Sequence, residues 1–286
     1  MPYVTSEEML KNAQKGRYAI GAFNVENMEM AMAIIRAAEE LSAPVILQTT
    51  PSTVKYASLA LFYANVRTLA DRASVPVALH LDHGSSYELA KEAIEVGYSS
   101  VMIDGSKEPL DGNIAVTLSV TREANGRVPV EAELGTVGGK EDSTVATGTA
   151  YTDPDDAVRF VLETGCSSLA VGIGTAHGVY VGTPILDVGR LREIRKSLER
   201  AGASIPLVLH GASGLSDEAV KECIAEGICK VNFATELRQA YTEGVKECLA
   251  ADPDVFDPKK YGKIAMAKVT EAVKYRIRVC GCDGKV

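Results

Sequence analysis

Residues 206–213 have the sequence Pro-Leu-Val-Leu-His-Gly-Ala-Ser, and residues 228–235 have the sequence Ile-Cys-Lys-Val-Asn-Phe-Ala-Thr. Each segment begins with apolar or β-branched residues and ends with polar and small ones. The stretch between them starts with Ser216-Asp217-Glu218, where serine is a typical helix N-cap, and stops at Gly227, a typical helix end. The region therefore predicts a strand, a helix and a second, parallel strand.

The same alternation of apolar runs and helical patterns recurs along the whole chain. Eight runs are predicted to be strands: Ala19–Val25, Pro44–Thr50, Pro76–His83, Ser100–Ser106, Pro129–Gly135, Ser168–Gly174, Pro206–Ser213 and Ile228–Thr235. Eight such strand–helix units predict a closed (β/α)8 TIM barrel. An open doubly wound sheet is the alternative, but the first turn, Asn24–Asn27, lacks the glycine fingerprint of dinucleotide-binding folds.

Two segments fall outside the repeating units. Residues 1–251 are predicted to form the barrel, and residues 252–286 a C-terminal extension in which Pro258–Cys280 is an additional helix. We expect this helix to pack on the barrel or on a neighbouring subunit. The longest gap, Thr136–Tyr151, is rich in Gly, Ser and Thr, as in active-site lids and disordered loops.

Composition excludes several classes of function. A net charge of −8 argues against sequence-independent binding to nucleic acid or to anionic lipid. The start of the chain has no basic segment followed by an apolar run, and no stretch is long enough to span a membrane, so we expect a cytoplasmic protein. Six cysteines without a CxxC pair indicate reduced thiols. Cys280 and Cys282 could bind a metal or form a redox pair, but alone they lack the ligands that zinc needs.

In a barrel of this kind, chemistry is concentrated at the C-terminal ends of the strands. Three of the four histidines, His83, His177 and His210, fall at or just after three separate predicted strands. Three neutral imidazoles can hold Zn²⁺ and leave a fourth position open, as in catalytic zinc sites. His80 lies deeper on its strand, so we expect it to pack or to orient another residue.

Carboxylates accompany these histidines. Asp82 adjoins His83 and could act as a structural cap, orient a metal ligand, or serve as a general acid/base, which its position favours. Asp104 and Glu133 lie near the C-terminal ends of two further predicted strands, on the same rim. They could hold a second metal ion or simply form hydrogen bonds to groups of the barrel mouth.

A phosphate site is predicted after the seventh and eighth strands, where loop N–H groups and a helix N-terminus meet in many barrels. Glycine-containing loops after the sixth and seventh strands let the backbone approach a ligand closely. The candidate residues are Gly178, Gly211, Ala212, Ser213, Asn232, Phe233, Ala234 and Thr235.

At these positions the sequence resembles the class II ketose-bisphosphate aldolases over nearly its full length. The matching stretches are Gly21–Asn24, His80–Ser85, Ser100–Asp104, Val130–Gly135, Gly138–Asp142, Gly174–Gly178, Leu209–Gly214 and Lys230–Asn232. Their set and order are far more specific than any single motif.

The resemblance implies reversible cleavage of a ketose 1,6-bisphosphate into dihydroxyacetone phosphate and glyceraldehyde 3-phosphate by zinc-stabilised enediolate chemistry. It implies Zn²⁺ on His83, His177 and His210, and a second divalent position at Asp104 and Glu133. A monovalent cation, Na⁺ or K⁺, often assists in this family.

The resemblance also implies roles in catalysis and substrate binding. Asp82 would move the proton of the C4 hydroxyl, and Glu141 of the mobile loop would move the C3 proton. Asn24 and Thr50 match substrate-contacting positions. The predicted phosphate residues would hold the dihydroxyacetone-phosphate end, while Arg276 and Arg278 are the candidates for the distal phosphate. Family members act on phosphorylated sugars in carbohydrate metabolism as homodimers or homotetramers.

The sugar is assigned less directly than the reaction. Gly174–Gly178, His210–Gly214 and the tail Cys280–Gly284 look more like tagatose-bisphosphate aldolases. His83–Ser86 and Leu134–Gly139 look equally like the fructose enzymes. Tagatose and fructose 1,6-bisphosphates therefore both remain as predicted substrates.

Three other interpretations compete with this one, and the simplest is an aldolase for a different phosphorylated sugar, which the loops at the rim could permit. Lys230 on the eighth strand could attack a ketone in a Schiff-base aldolase if burial lowered its pKa, although the three histidines would then be unexplained. The chain could instead be a non-catalytic partner subunit of an aldolase. Such a partner needs neither Asp82 and Glu141 nor the three histidines, all of which are present.

Overall fold

A computed structural model describes residues 2–141, 144–146, 150–178, 180, 182 and 184–286. Its centre is a closed barrel of eight parallel strands in the order β1-β11-β10-β8-β5-β4-β3-β2, which confirms the predicted (β/α)8 fold. The strands, numbered along the chain, are β1 (Ile20–Asn24), β2 (Val45–Thr49), β3 (Val77–Gly84), β4 (Ser100–Ile103), β5 (Val130–Leu134), β6 (Gly138–Glu141), β7 (Thr144–Ala146), β8 (Ser168–Val171), β9 (Ala176–His177), β10 (Leu207–Leu209) and β11 (Ile228–Phe233).

Helices surround the barrel and begin and end where the sequence supplies caps. Ser216 accepts a hydrogen bond from the N–H of Ala219, and Gly97 and Gly165 end their helices in the left-handed conformation. The helices are α1 (Ser6–Gly16), α2 (Met28–Glu40), α3 (Pro51–Ala57), α4 (Leu59–Ala70), α5 (Tyr87–Val96), α6 (Leu110–Ala124), α7 (Pro154–Thr164), α8 (Val188–Arg200), α9 (Asp217–Ala225), α10 (Thr235–Ala251) and α11 (Pro258–Cys280).

The barrel wall has an outer and an inner layer, because successive side chains of a strand point to opposite faces. On β3, Leu79 and Leu81 point outward to the helices, while His80 and Asp82 point into the barrel. The outward residues form an apolar layer beneath the helices. Polar side chains gather in the inner layer towards the C-terminal ends of the strands. The candidate reactive groups therefore lie at this end of the barrel, which we call the mouth.

The predicted long gap between the fifth and sixth barrel strands contains regular structure. Strands β6 and β7 form an antiparallel hairpin there, and β6 also pairs in parallel with β9. This pairing places Gly139 opposite His177. Gly139 has a φ of 86°, and a side chain there would collide with the carbonyl of His177, so glycine allows the two backbones to approach. The hairpin is therefore joined to the segment that carries a predicted metal ligand.

The C-terminal helix α11 packs against α10 and α2. Val273 and Ile277 of α11 are fully buried and belong to the same apolar core as the barrel. Gly244 of α10 allows close contact, since a side chain there would collide with the backbone of Ala265. Among the described residues, no helix is long and apolar enough to cross a membrane.

Candidate active site

Three of the four histidines meet at the mouth of the barrel. Ring nitrogens of His83, His177 and His210 all lie within 4.8 Å of one another. Nε2 of His83 is 3.0 Å from Nδ1 of His210. Two imidazole nitrogens on one tetrahedral zinc ion would be about 3.3 Å apart, given Zn–N bonds of about 2.05 Å. The donor type, number and spacing of these three residues therefore fit Zn²⁺.

A local irregularity in β3 lets two consecutive residues, Asp82 and His83, both point their side chains towards the mouth of the barrel. The pairing of β3 with β4 shifts register between Leu81 and Gly84, and His83 has a φ of 47°. A regular strand would turn His83 towards the helices, whereas this left-handed residue brings its ring into the histidine cluster. Gly84 is needed next to it, because a side chain there would collide with the carbonyl of Met102.

Asp104 and Glu133 lie beside the cluster, as predicted. Oδ2 of Asp104 is 2.8 Å from Nδ1 of His83. Burial opposes ionisation of Asp104, but the hydrogen bond and charge of His83 and the hydrogen bonds from Ser106 together hold the pKa of the carboxyl well below its usual value. Oε2 of Glu133 lies 3.3 Å from Nδ1 of His210 and has no hydrogen-bond partner among the described residues.

These positions leave two roles open for the carboxylates. Atoms of His83, Asp104 and Glu133 also lie within 4.8 Å of one another and could hold a second cation. Alternatively, Asp104 orients His83 by accepting its Nδ1–H, which leaves Nε2 for the metal.

Asp82 is almost completely buried among amide side chains. Its Oδ2 accepts from Gln48 Nε2 at 3.0 Å and from Asn24 Nδ2 at 3.3 Å, and its Oδ1 accepts from Asn232 Nδ2 at 3.0 Å. Gln48 also donates to Oδ1 of Asn24 at 2.7 Å, which links the amides to each other. Neutral donors to its two oxygens hold the carboxylate of Asp82 in one orientation.

His80 lies outside the cluster, deeper in the barrel, as the strand parity predicts. Its Nδ1 is 2.7 Å from the hydroxyl of Ser100, and burial lowers the pKa of the ring well below its usual value. We therefore expect His80 to be neutral and to have a packing role.

His210 is tied to a buried ion pair below the mouth. Its Nε2 lies 3.0 Å from Oε1 of Glu131, and Glu131 in turn pairs with the ammonium of Lys230 at 3.0 Å. Burial alone would lower the pKa of His210, but Glu131 and Glu133 raise it to about 9 in the absence of a metal. Lys230, the candidate Schiff-base lysine, is thus already engaged inside the barrel.

A cavity beside the histidines is formed by the predicted phosphate loops. It is lined by Asn24, His177, Gly178, Gly211, Ala212, Ser213, Asn232, Ala234, Thr235 and Arg238. Helix α10 begins at Thr235, and its N-cap residue, Ala234, makes no side-chain capping bond, while the hydroxyl of Ser213 accepts from the N–H of Ala234 at 3.1 Å. Exposed N–H groups and the helix dipole favour an anion at such a position.

Tyr180 connects two walls of this cavity. Its hydroxyl accepts from the N–H of Ala176 at 2.8 Å and donates to the carbonyl of Gly211 at 2.7 Å. A side chain at Gly211 would lie 2.5 Å from the carbonyl of Ala176, so glycine permits the close approach of the two segments. Tyr180 therefore joins the phosphate loop to the segment that carries His177.

Arg238 is a lining residue that the sequence interpretation missed. It lies one turn inside α10, and its guanidinium contacts the carboxylate of Glu26 at 2.6 Å. Its position in the first turn of the helix after the eighth strand was the available signal, because residues three apart on a helix lie on one face. Arg238 supplies positive charge next to the predicted anion site.

Three of the residues predicted to bind phosphate do not bring their side chains to the cavity, and a backbone contact from Phe233 stays a prediction. The side chain of Phe233 faces outward, stacks on Phe23 and is absent from the cavity lining, because strand alternation points Asn232 inward. The guanidinium of Arg276 lies outside the barrel wall, over the ring of Phe233 and bound to Glu236 at 2.8 Å. Arg278 is an exposed residue in the last turn of α11. The structure does not bring either arginine to the mouth.

Thr50 lies between β2 and α3 and is buried in a group of hydroxyls. Its Oγ1 lies 3.1 Å from Oγ1 of Thr53, which donates to Glu26 at 2.8 Å. Because Glu26 also holds Arg238, Thr50 and Arg238 are connected through one carboxylate. Thr50 is therefore joined indirectly to the cavity lining, although its own role in binding substrate stays a prediction.

The predicted catalytic residue Glu141 is the last residue of β6, but its side chain lies outside the part of the molecule that the structure describes. Its backbone is two residues beyond Gly139, which pairs with His177.

The C-terminal cysteines have no place in this site. Both Cys280 and Cys282 are buried, and burial raises the pKa of Cys282 to about 12. Among the described residues, neither belongs to a group that could hold a metal ion. This supports the interpretation of inert thiols.

A parallel barrel with a histidine cluster, flanking carboxylates and an anion cavity at its C-terminal mouth has the architecture of a barrel enzyme with its site at the C-terminal face. Similarity to known proteins identifies the family of this barrel. The chain matches the family described as "Fructose-bisphosphate aldolase class-II" over residues 4–285. A fructose-bisphosphate aldolase of Staphylococcus epidermidis is 41% identical over 291 positions, which cover 100% of this chain and 99% of that protein.

Solved structures agree with this result. The YdjI aldolase from Escherichia coli K12 has a TM-score of 0.87 at 37% identity, covering 99% of both chains. A putative fructose-1,6-biphosphate aldolase from Coccidioides immitis has a TM-score of 0.88 at 29% identity, covering 97% of this chain and 96% of that one. The chain belongs to the class II fructose-bisphosphate aldolase family, and it is an aldolase.

Proposed function

We propose that this aldolase is zinc-dependent and reversibly cleaves a ketose 1,6-bisphosphate, tagatose or fructose, to dihydroxyacetone phosphate and glyceraldehyde 3-phosphate. The observation that carries the proposal is the grouping of ring nitrogens of His83, His177 and His210 within 4.8 Å of one another, together with the buried, inward-pointing carboxylate of Asp82, the residue that precedes His83. When bound by the three imidazoles, zinc would act as a Lewis acid on the ketone next to the bond that breaks.

Protein groups would handle the protons. In cleavage, Asp82 accepts the proton of the C4 hydroxyl, and the amides of Asn24, Gln48 and Asn232 keep its oxygens in position. Glu141 then delivers a proton to C3. The pairing of β6 with β9 supports this role, because it joins the backbone near Glu141 to that of His177.

The cavity at the N-terminus of α10 would hold one phosphate. Gly178, Gly211, Ala212, Ser213, Asn232, Ala234 and Thr235 line it, and Arg238 adds a cation. Binding the non-reacting phosphate there fixes the ketone relative to Asp82 and the histidines, which lowers the entropic cost of reaction. Asn24 lines the same cavity, and we propose that it and Thr50 contact the substrate.

Other features are proposed from the family alone. They are a second divalent position at Asp104 and Glu133, a monovalent cation, assembly as a homodimer or homotetramer, and a cytoplasmic location.

Kinetics on both sugars, with and without EDTA, test the proposal. We expect cleavage of at least one of the two bisphosphates, loss of activity in EDTA and recovery when zinc is added back. His177→Ala should lose bound zinc, whereas His80→Gln should retain it, because His80 lies outside the cluster. The ratio of kcat/KM values assigns the sugar.

Each rival function has its own outcome in this experiment. Activity that survives EDTA, together with borohydride trapping of substrate on Lys230, would establish a Schiff-base aldolase. A zinc-loaded chain that cleaves neither sugar would point to a non-catalytic partner subunit. The buried pairing of Lys230 with Glu131 argues against the first rival.

A further inference from the structure

Lys230 lies in the middle of β11 and points into the barrel, where it is 1% exposed. Its Nζ lies 3.1 Å and 3.0 Å from the two oxygens of Glu131 and 2.8 Å from Oδ1 of Asn232. An ammonium has three donors and no acceptor. All three neighbouring oxygens must therefore act as acceptors towards it.

This requirement fixes the orientation of Asn232. Since Oδ1 faces the ammonium, the NH₂ group faces the other way and donates to Oδ1 of Asp82 at 3.0 Å. A flipped amide would place its NH₂ against the ammonium and its oxygen against the carboxylate of Asp82. Both contacts would be repulsive, so Lys230 determines which group Asn232 offers to the proposed general base.

The same requirement acts on His210 through Glu131. The carboxylate of Glu131, held by Lys230, accepts from Nε2 of His210 at 3.0 Å. A histidine whose Nε2 carries the hydrogen offers the lone pair of Nδ1, and Nδ1 is the atom that faces His83 at 3.0 Å. The ammonium of Lys230 thus controls the direction of two hydrogen bonds: the one from Asn232 to Asp82 and the one from His210 to Glu131.

We propose that Lys230 is a positioning residue that, through Asn232 and Glu131, orients Asp82 and presents Nδ1 of His210 to the metal. The inference rests on the proposed zinc-dependent function. It explains why a lysine and a glutamate are buried in the barrel, where a well-packed apolar pair would avoid the cost of removing two charges from water.

The most direct test needs no substitution. In zinc-loaded native enzyme, ¹⁵N NMR of the histidine rings should show His210 with its hydrogen on Nε2 and the metal on Nδ1. The opposite arrangement, with the hydrogen on Nδ1 and the metal on Nε2, would overturn the proposal whatever the variants do.

Variants then measure the contribution. Lys230→Met removes the donors, and the double variant Lys230→Met/Glu131→Gln removes both charges, which protects folding by leaving no unpaired ion inside the barrel. We expect zinc to bind roughly 10–100-fold more weakly in the double variant, the usual cost of losing a group that orients a metal ligand. We also expect kcat to fall more than KM rises, because Asp82 loses its orientation.

The matched control is Lys274→Met, which removes two ion pairs outside the barrel, with Glu40 and Glu271. It should leave zinc affinity and kcat unchanged. A folded double variant with native zinc affinity and kcat would contradict the proposal, while the zinc-dependent function would stand. If the native enzyme neither binds zinc nor responds to EDTA, it is the proposed function that fails.

Discussion

The two layers of the barrel wall differ in how their side chains are stabilised. Outward residues such as Leu81 and Phe233 are fully buried among apolar neighbours and depend on shape and burial. Inward residues such as Asp82 and His210 are just as buried, but each depends on named hydrogen-bond partners from distant parts of the chain. Neighbours in sequence, Leu81 and Asp82, therefore belong to two different kinds of interior.

The difference indicates how each layer responds to substitution. Apolar packing is non-directional, so an outer substitution should change the free energy of unfolding and leave the geometry of the mouth intact. A polar network is directional, so an inner substitution should change chemistry even where the fold survives. Inward and outward residues alternate along each strand. Substitutions at two neighbouring positions can therefore test the two layers separately.

The largest effect is expected at Asp82. The substitution Asp82→Ala removes the proposed general acid/base, and turnover should fall roughly 10²–10⁴-fold. Zinc content should stay at the native level, because Asp82 is not among the clustered ligands. Steady-state kinetics and metal analysis of the same sample measure both quantities.

Asp71→Ala is the matched control, since Asp71 is exposed at the C-terminal end of α4 and forms a local ion pair with Arg67. Near-native turnover in Asp82→Ala would exclude Asp82 from the proposed role.

The neighbouring outer residue should show the reverse pattern. Leu81→Ala leaves a cavity beneath the helices, and the free energy of unfolding should fall by about 2–5 kcal/mol. At temperatures where the variant is folded, kcat and zinc affinity should stay near native values. Denaturant unfolding and kinetics at low temperature check the two halves. A large loss of kcat in a folded variant would show that the two layers are not separable.

Gly84→Ala probes the irregularity that joins the layers. The added methyl group would collide with the carbonyl of Met102, so β3 must move relative to β4. We expect a loss of about 1–3 kcal/mol in stability, as for overpacking, together with weaker zinc binding because His83 is displaced. Gly189→Ala in α8, where a methyl group meets only Oδ1 of Asp187 at 3.4 Å, is the control and should change neither. Unaltered zinc affinity in Gly84→Ala would mean that the cluster does not depend on this bulge.

The smallest effect is expected at the edge of the phosphate cavity. Tyr180→Phe removes the hydroxyl between Ala176 and Gly211, which should raise KM about fivefold to tenfold, or ~1 kcal/mol, with a smaller change in kcat. Inorganic phosphate should inhibit the variant more weakly by a similar factor. Tyr151→Phe, whose ring is 45% exposed, is the control. Equal KM values in both variants would remove Tyr180 from the phosphate site.

Much of the outer layer could be predicted from the sequence. The predicted strand Pro76–His83 corresponds to β3, and the predicted helix Pro258–Cys280 matches α11, because apolar periodicity and caps are local signals. The histidine cluster could also be anticipated, since parallel strands bring their C-terminal ends together. The first helix, α1, and the sheet formed by β6, β7 and β9 were not predicted.

The partners within the inner layer could not be predicted. Glu131 and Lys230 are 99 positions apart, and their contact depends on the order and register of the barrel strands. The left-handed conformation of His83 and the outward direction of Phe233 likewise depend on strand pairing, which one sequence does not specify. Motif spacing therefore predicts which residues reach the mouth, but not which of them form hydrogen bonds or ion pairs with one another.

X-ray absorption or anomalous diffraction of the zinc-loaded protein tests the central claim most directly. We expect one zinc ion with three imidazole nitrogens at about 2.0–2.1 Å, from His83, His177 and His210. Zinc bound elsewhere, or three rings that point apart with no metal between them, would contradict it.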